Sequence, residues 1–400
     1  MMGDLAVYQN ETYTGKCYWT EKRSHVSSVF TYDDDYLHGS ANWNIDTLLT
    51  LTSGAQPRDN GLPGVFKDAS PDRWGQTLIR HRHLRDNKKS GTMPRTLNEV
   101  DYLLGVSDFS RQGNLRFALK KGAVFQHPSD MPPKLVALPK LLNAAHLYSS
   151  KHDDNAIAYL IDAGSASLGG ARPKAAIVDG NDLYIAKFPH KQDKWDVIAW
   201  EWVCLNVAAE AGITVPDNRL LKVDNQQVLL TKRFDRAGQN ERLGYISAMT
   251  LLGLSDGDQA DYYEIAQKLR EVSICPKEDL HELYRRITLY LLINNTDDHL
   301  RNHGLLRSGS GWRLSPAFDI NINPEPAASR VTSVFAEFER NAALVALKAN
   351  ADEFELTNQK TDVITAAVTS AVSHCGKYAE IAGIKKHELK MMLESIGLQV

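Results

Sequence analysis

The stretch NNTDDHLRNHG, residues 294–304, places two aspartates beside two histidines, one arginine and three asparagines. A hydrophobic core excludes so many polar groups, because burying them without partners is costly. The preceding stretch DLHELYRRITLYLLI predicts an amphipathic helix. Its apolar face comprises Leu280, Leu283, Tyr284, Ile287 and Leu291. The polar run therefore begins where a helix ends, and it predicts a loop that carries chemistry.

A hairpin is predicted directly after this loop. The residues GLLRSGSGWRLS form two short apolar runs around a turn at 308–311, and PAFDIN follows them. A hairpin brings its two ends together, so Asp297 and Asn302 before it should converge with Asp319 after it. Protein kinases use this order: a catalytic aspartate, a metal-binding asparagine five residues later, a hairpin, and a second metal-binding aspartate.

The spacing distinguishes the two neighbouring aspartates. Asp297 has Asn302 five residues later, whereas Asp298 has His303 at that position. Asp297 is therefore the predicted group that orients the substrate hydroxyl and accepts its proton. Asn302 and Asp319 are the predicted Mg²⁺ ligands, because a hard cation takes oxygen ligands.

A glycine-rich segment, GSASLGGARPK (164–174), lies between a predicted helix, DDNAIAYLIDA, and a predicted hairpin around Asp179-Gly180. Small residues let backbone amides approach an anion closely. The segment contains neither the Walker A order nor the Rossmann order of glycines. Ser165, Ser167, Gly169 and Gly170 lie in it, and the two serines also suit ordinary turn hydroxyls.

Lys187 lies late in the apolar strand LYIAKFP. A glycine-rich loop followed by a strand lysine is the order of a kinase N-lobe, in which the lysine reaches the phosphates. The next stretch, WDVIAWEWVCLNVAAEAG, predicts a helix ended by Gly212. Glu201 on this helix is the predicted partner of Lys187, and Glu210 near the helix end is the alternative.

Two other function classes fit part of the pattern. His299 and His303 are four residues apart, so with Asp297 or Asp298 they could bind a transition metal in a metal-dependent phosphohydrolase that uses residues 297–303. That hypothesis leaves the glycine-rich segment and Lys187 unexplained. A non-catalytic DNA-bound regulator is the third class, which the formal net charge of −3 does not favour.

Length and composition limit the number of domains and the cellular compartment that we expect. A chain of 400 residues can form two or three domains. The N-terminus lacks the pattern of a signal peptide, and no apolar run is long enough to cross a bilayer. Four scattered cysteines, Cys17, Cys204, Cys275 and Cys375, argue against a disulfide framework or a zinc knuckle. We therefore expect a cytoplasmic protein without membrane contact.

The chain organisation is indicated by turn residues. Residues 5–52 alternate like short strands, and DASPDRWGQTLIRHRHL (68–84) predicts a helix with Ser70 as its N-cap. Four of the fifteen prolines fall in the thirteen residues 127–139, which predicts a domain boundary there.

Taken together, these stretches resemble the HipA family of bacterial toxin kinases. The similarity is carried by SASLGGARPKA (165–175), YIAKFP (184–189), LLTKRFDR (229–236), NNTDDHLRNHG (294–304) and LSPAFDIN (314–321). LPGVFKDASPDRWG (62–75) and LLGVSDFSRQGNLRFAL (103–119) match the amino-terminal region of the family. The motifs keep the family's order over most of the chain.

The resemblance implies an α+β fold, with a β-rich N-terminal domain packed on a bilobal, protein-kinase-like core. The expected parts are a HipA-like N-terminal domain (1–127), a kinase N-lobe with the glycine-rich loop and hinge (128–240) and an all-helical kinase C-lobe (241–400).

It further implies an ATP- and Mg²⁺-dependent serine/threonine kinase that is the toxin of a toxin–antitoxin pair. The implied substrate is a translation-related protein, such as an aminoacyl-tRNA synthetase, whose phosphorylation arrests growth. The implied partner is a small helix-turn-helix antitoxin, HipB-like, through which the chain meets operator DNA.

Residue roles also follow from the resemblance. The backbone around Lys232–Phe234 is expected to meet the adenine, and Lys187 the phosphates. Ser167 matches the family's autophosphorylation site, where phosphate ejects the loop and switches the kinase off. Ser165, two residues earlier, leaves open which serine is modified.

Overall fold

The computed structural model describes the chain except for residues 24, 41, 127–131, 152, 168–169, 171, 238–240, 326–327 and 399–400, and at residues 151 and 167 only the backbone is described. The chain forms two compact units. The first comprises Met1–Gln192, Lys222–Gln226 and Asp235–Ile246, and the second comprises Asp193–Leu221, Gln227–Phe234 and Ser247–Val400. The division into three domains at 127 and 240 stays a prediction.

An antiparallel sheet opens the first unit, in the order β4-β3-β2-β1-β5. The strands are β1 Met2–Gln9, β2 Thr12–Lys22, β3 His25–Tyr32, β4 Gln56–Arg58 and β5 Leu115–Ala118. Along β3, buried residues alternate with more exposed ones, as expected for a strand with one face on a core. In that core Phe66 meets Phe30 and Phe117 edge-to-face, with ring centroids 6.0 and 5.0 Å apart.

Four helices accompany this sheet: α1 Asp34–His38, α2 Gly64–Asp68, α3 Arg73–Ser90 and α4 Glu99–Leu104. The predicted N-cap at Ser70 is wrong. Asp72 caps α3 and accepts a hydrogen bond from the Arg73 N–H, while the Ser70 hydroxyl donates to the carbonyl of Phe66. Ser70 belongs to the turn that ends α2, so α3 begins at Arg73, two residues after the start at Pro71 that a cap at Ser70 would give.

The first unit continues with α5 Leu138–Lys151, α6 Asp154–Asp162 and the hairpin of β6 Lys174–Asp179 with β7 Asp182–Lys187. Asp179 pairs with Asp182, so Gly180 and Asn181 form a two-residue turn in which Gly180 has a φ of +62°. The hairpin predicted around Asp179-Gly180 is confirmed, because glycine adopts this left-handed conformation without strain.

The elements up to residue 247 are one helix and five strands: α7 Val197–Glu210, β8 Asn218–Val223, β9 Gln226–Lys232, β10 Arg236–Ala237, β11 Glu241–Arg242 and β12 Tyr245–Ser247. The helices after it are α8 Ala248–Leu252, α9 Tyr262–Val272, α10 Pro276–Leu292, α11 Arg340–Ala349, α12 Asn358–Ser373, α13 Cys375–Ile381 and α14 Lys386–Ser395. The strands after it are β13 Ala260–Asp261, β14 Gly304–Ser308, β15 Gly311–Leu314 and β16 Thr332–Ser333. From residue 247 onward the chain is mostly helical, with the predicted hairpin β14–β15 and short strands between the helices.

No helix in the described part of the chain is both long enough and apolar enough to cross a bilayer. Cys17, Cys204 and Cys375 are buried as free thiols, and Cys275 is half-buried.

Candidate functional site

The helix α10 ends directly before the polar loop of residues 294–304. Pro276 occupies its first turn, where a missing N–H costs no hydrogen bond. All five residues of the predicted apolar face are at most 1% exposed. After Leu292 the chain turns at Asn294, whose φ of +54° is one that asparagine tolerates better than most residues. The loop is therefore held at its start by a fully packed helix.

Asp298 is enclosed within this loop. Its carboxylate accepts hydrogen bonds from the phenol of Tyr262 and from Nε2 of His303, the latter at 2.7 Å. Asp298 is 4% exposed and His303 is completely buried. With two donors on its Oδ2 and little exposure to solvent, Asp298 shapes the loop.

The charge of Asp298 also acts on the tyrosine. Burial, reinforced by that charge, raises the pKa of Tyr262 well above its ordinary value. The phenol therefore keeps its proton at neutral pH and remains a donor to Asp298.

Asp297 and Asn302 differ from each other in their exposure to solvent. Asp297 is exposed, so solvent reaches this residue. Asn302 is 6% exposed, and its Nδ2 donates to the backbone carbonyl of Asp297 at 3.2 Å. This bond uses the amide nitrogen and leaves the amide oxygen as the group suited to a hard cation.

Asp319 lies five residues after the end of β15. Its φ of +57° is a left-handed conformation that costs free energy for a residue other than glycine and is concentrated at functional sites. The Ser315 N–H donates to the carbonyl of Gly304 at 2.8 Å, so the two ends of the hairpin meet as predicted. The side chains Asn302 and Asp319 supply the oxygen donors that Mg²⁺ prefers, and they fit that ion.

The segment after Asp319 is bonded to the loop on its other side. Asn294 and Asn323 exchange two hydrogen bonds, from the Asn323 N–H and from the Asn294 Nδ2, and Asn323 Nδ2 also donates to Thr296 Oγ1 at 2.6 Å. Buried Arg330 donates from Nη1 to the carbonyl of Asn295 at 2.9 Å. Sequence reasoning missed these supporting residues, because nothing in their local pattern indicates the partner.

The glycine-rich segment lies in the first unit. It begins with a 3-10 turn at Ser165–Ser167, and Gly164 and Gly170 have φ values of +71° and +82°. Ser165 is completely buried, and its hydroxyl has no hydrogen-bond partner in the described part of the chain. Gly169 and the side chain of Ser167 lie outside the described residues.

Lys187 ends β7 and is half-buried. Its direct partner across the hairpin is Lys174, which is 7% exposed and which sequence reasoning missed. Directly paired residues share one face of a sheet, where like charges repel. A Cβ added to Gly170 would stand 2.4 Å from Lys174 Nζ, so the glycine leaves room for this ammonium group. Two lysines therefore lie side by side at this end of the hairpin.

On α7 the two candidate glutamates differ in their surroundings. Glu201 is 4% exposed. Glu210 accepts hydrogen bonds from His374 Nδ1 at 2.5 Å and from the Tyr378 phenol at 2.9 Å, and these bonds lower the pKa of Glu210. Glu210 thus has hydrogen-bond partners of its own. The pairing of Glu201 with Lys187 stays a prediction.

The predicted adenine-binding stretch follows β9. The Lys232 N–H donates to the carbonyl of Asp217 at 2.8 Å. The Phe234 ring lies 5.4 Å from the Phe318 ring, centroid to centroid. Phe318 directly precedes Asp319 in the sequence. The ring contact therefore lies between the end of the predicted adenine-binding stretch and the residue before the predicted metal ligand.

The transition-metal hypothesis is not favoured by the geometry. His299 and His303 flank a 3-10 helix, Leu300–Asn302, so they do not share the face of an α-helix. His303 is buried against Asp298. Among the described residues, no three His, Cys, Asp or Glu side chains group as a metal site.

The role of Asp298 as a support gives a stability prediction. In Asp298→Ala, Tyr262 and His303 lose their common acceptor inside the protein, and we expect the free energy of unfolding to fall by roughly 3 kcal/mol. Tyr262→Phe removes one donor and leaves the carboxylate with His303, so a loss of about 1 kcal/mol is expected. Denaturant unfolding of both variants checks this order. Equal stability of wild type and Asp298→Ala would contradict the supporting role.

Comparison with known proteins gives two family matches. Residues 166–375 match the family model of the HipA-like C-terminal domain, and residues 5–100 match that of the HipA N-terminal domain.

Two solved structures are similar to this chain. A structure of the Shewanella oneidensis MR-1 toxin–antitoxin system, HipA with HipB and operator DNA, contains a chain with 13% identity and a TM-score of 0.67, over 98% of this chain and 95% of that one. The Helicobacter pylori proinflammatory kinase CtkA matches with 15% identity and a TM-score of 0.43, over 57% of this chain and 88% of that one. The first match confirms the predicted α+β fold class.

Proposed function

This chain belongs to the HipA family, and on that premise we propose that it is an ATP- and Mg²⁺-dependent protein serine/threonine kinase. One observation carries the proposal: the two adjacent aspartates have separate surroundings. Asp297 is open to solvent beside the anchored Asn302, whereas Asp298 is buried with His303 and Tyr262. An exposed carboxylate on a fixed loop is what a group that accepts a hydroxyl proton requires.

In this proposal Asp297 orients the substrate hydroxyl and accepts its proton as the new bond to phosphorus forms. The proton moves to a carboxylate oxygen, and the phosphoryl group leaves ADP behind. Asn302 and Asp319 would hold the magnesium ion. When bound, Mg²⁺ would neutralise the developing charge on the phosphates.

Several groups of the chain would hold the nucleotide. Lys187 meets the phosphates and Glu201 orients that lysine. Gly169 and Gly170 let the loop backbone approach the phosphates, and the backbone of Lys232–Phe234 meets the adenine. These roles rest on the family resemblance and on the positive charge at the start of β6 and the end of β7.

Autophosphorylation is proposed at Ser167. Ser165 is completely buried, so its hydroxyl would need the segment to open before it could meet ATP. This burial disfavours Ser165 and supports Ser167, which the resemblance also indicates. Phosphate at Ser167 would eject the loop and inactivate the enzyme.

The biological role is proposed by analogy. The similar Shewanella protein was solved with HipB and operator DNA, and we propose an antitoxin of that helix-turn-helix kind as the partner here. The chain's net charge of −3 fits DNA contact made mainly through the antitoxin. The substrate would be a translation-related protein in the cytoplasm, such as an aminoacyl-tRNA synthetase, and its phosphorylation would arrest growth.

The proposal is tested with purified protein incubated with ATP and Mg²⁺. We expect a mass gain of one phosphate that requires both ATP and the metal, and fragmentation should place it on Ser167. Omission of Mg²⁺ is the control. A phosphate mapped to Ser165 would contradict the assignment of the serine. Phosphatase activity that needs no ATP and is lost in His299→Ala would instead support the metal-dependent phosphohydrolase.

A further inference from the structure

The start of helix α3, in the N-terminal region of the chain, contacts the glycine-rich segment about a hundred residues later. The Gly170 N–H donates to Asp72 Oδ2 at 2.9 Å, while the Trp74 N–H donates to the Gly170 carbonyl at 3.0 Å. Both backbone groups of Gly170 are thus bonded to α3. Such bonds also satisfy an N–H of the helix terminus that has no partner inside the helix.

Trp74 makes a second contact with the same region. Its indole Nε1 donates to the carbonyl of Lys174 at 3.1 Å, and the side chain is 5% exposed. The ring packs edge-on against Tyr148 with centroids 5.1 Å apart. Because Lys174 begins β6 opposite Lys187, the indole fixes the strand end that carries the two lysines.

Gly75 brings helix and loop into direct contact. A Cβ at this position would stand 2.3 Å from the carbonyl oxygen of Ala166 and 2.7 Å from Cβ of Pro71. Ala166 lies between Ser165 and Ser167 in the 3-10 turn. No side chain larger than hydrogen fits without moving backbone, so α3 lies as near to the loop as a helix can.

We propose that the start of α3 is the positioning element of the phosphate-binding loop, with Asp72, Trp74 and Gly75 as its positioning residues. This rests on the proposed function, which assigns the phosphates to the glycine-rich segment. A loop of small residues has few side chains to hold its shape, so ordering it would otherwise oppose nucleotide binding. The helix supplies that order in advance, and the N-terminal region becomes part of the nucleotide-binding machinery.

Two variants of the full-length chain test the inference. Asp72→Asn keeps the size of the residue but gives one amide nitrogen to a site where the carboxylate accepts two N–H groups. Gly75→Ala separates helix and loop. We expect hydrogen–deuterium exchange in the loop peptide around Gly170 to become faster by about fivefold or more in Asp72→Asn. The KM for ATP should rise by roughly the same factor while kcat changes less than KM.

The matched controls change another helix N-cap and another glycine. Asn98→Ala removes the N-cap of α4, which bonds Val100 and Asp101 only within its own helix. Gly376→Ala adds a Cβ that meets Leu393 at an ordinary 3.5 Å. Both controls should leave loop exchange and the KM for ATP unchanged, whatever their effect on thermal stability.

The outcomes separate this inference from the proposed function. Unchanged exchange around Gly170 in both Asp72→Asn and Gly75→Ala overturns the inference. Faster exchange with an unchanged KM for ATP also overturns it, because the loop would then be held but not for the nucleotide. If the wild-type protein binds no ATP, the proposed function is overturned. Faster exchange in the variants would then show α3 only as a support of the loop, which overturns its positioning role too.

Discussion

Asp297→Asn is expected to lower kcat for phosphoryl transfer by about a thousandfold or more, since it removes the group that accepts the hydroxyl proton. The variant should remain folded, because the Asp297 side chain is exposed and surface substitutions have small effects on stability. Its affinity for ATP should stay close to that of wild type, because Asp297 meets the substrate hydroxyl and not the nucleotide. Calorimetric binding of ATP and a radiolabel transfer assay check the two halves of this prediction.

The neighbouring aspartate provides the control for that experiment. Asp298→Asn alters the same charge one residue away, but within the buried contact with Tyr262 and His303. We expect Asp298→Asn to have a lower free energy of unfolding than wild type. The fraction that remains folded should still carry out the chemical step. Full activity in Asp297→Asn, or a chemical defect confined to a stably folded Asp298→Asn, would reverse the assignment of the two residues.

Asp319→Ala is expected to weaken binding of ATP in the presence of Mg²⁺ by at least about tenfold, since it removes the carboxylate proposed to hold the metal. The difference between wild type and variant should disappear when Mg²⁺ is withheld. A calorimetric titration of ATP at several Mg²⁺ concentrations measures both effects.

The backbone of Asp319 calls for a second variant. Its φ of +57° is a conformation that asparagine tolerates better than alanine does. Asp319→Asn therefore preserves the local backbone while it removes the charge. If Asp319→Asn binds ATP and Mg²⁺ as wild type does, the loss in Asp319→Ala would reflect the backbone and the metal-binding role would be wrong.

Local patterns in the sequence predicted several of the elements that carry the candidate site. The Asp179-Gly180 turn predicted its hairpin, because the two-residue turn needs a left-handed glycine. The helical spacing of the apolar residues of α10 predicted where the loop begins. The spacing of Asp297 and Asn302 distinguished the exposed aspartate from the buried one, and the structure places Asp298 among supporting groups.

Contacts between residues distant in the sequence could not be predicted in this way. Nothing around Asp72 or Trp74 indicates a bond to Gly170, about a hundred residues later. Ser70 was chosen as a helix cap from residue preference alone, and its hydroxyl bonds the preceding turn instead. Lys174 was overlooked because its burial and its pairing with Lys187 arise from strand register. Such features depend on tertiary packing, which a local pattern does not carry.

The most direct test of the kinase assignment is phosphoproteomics of cells after brief induction of the wild-type chain or of Asp297→Asn. The account predicts that phosphoserine or phosphothreonine appears rapidly on a protein of translation in the wild-type culture alone, together with growth arrest. Identical phosphoproteomes in the two cultures, with growth arrested in both, would contradict it.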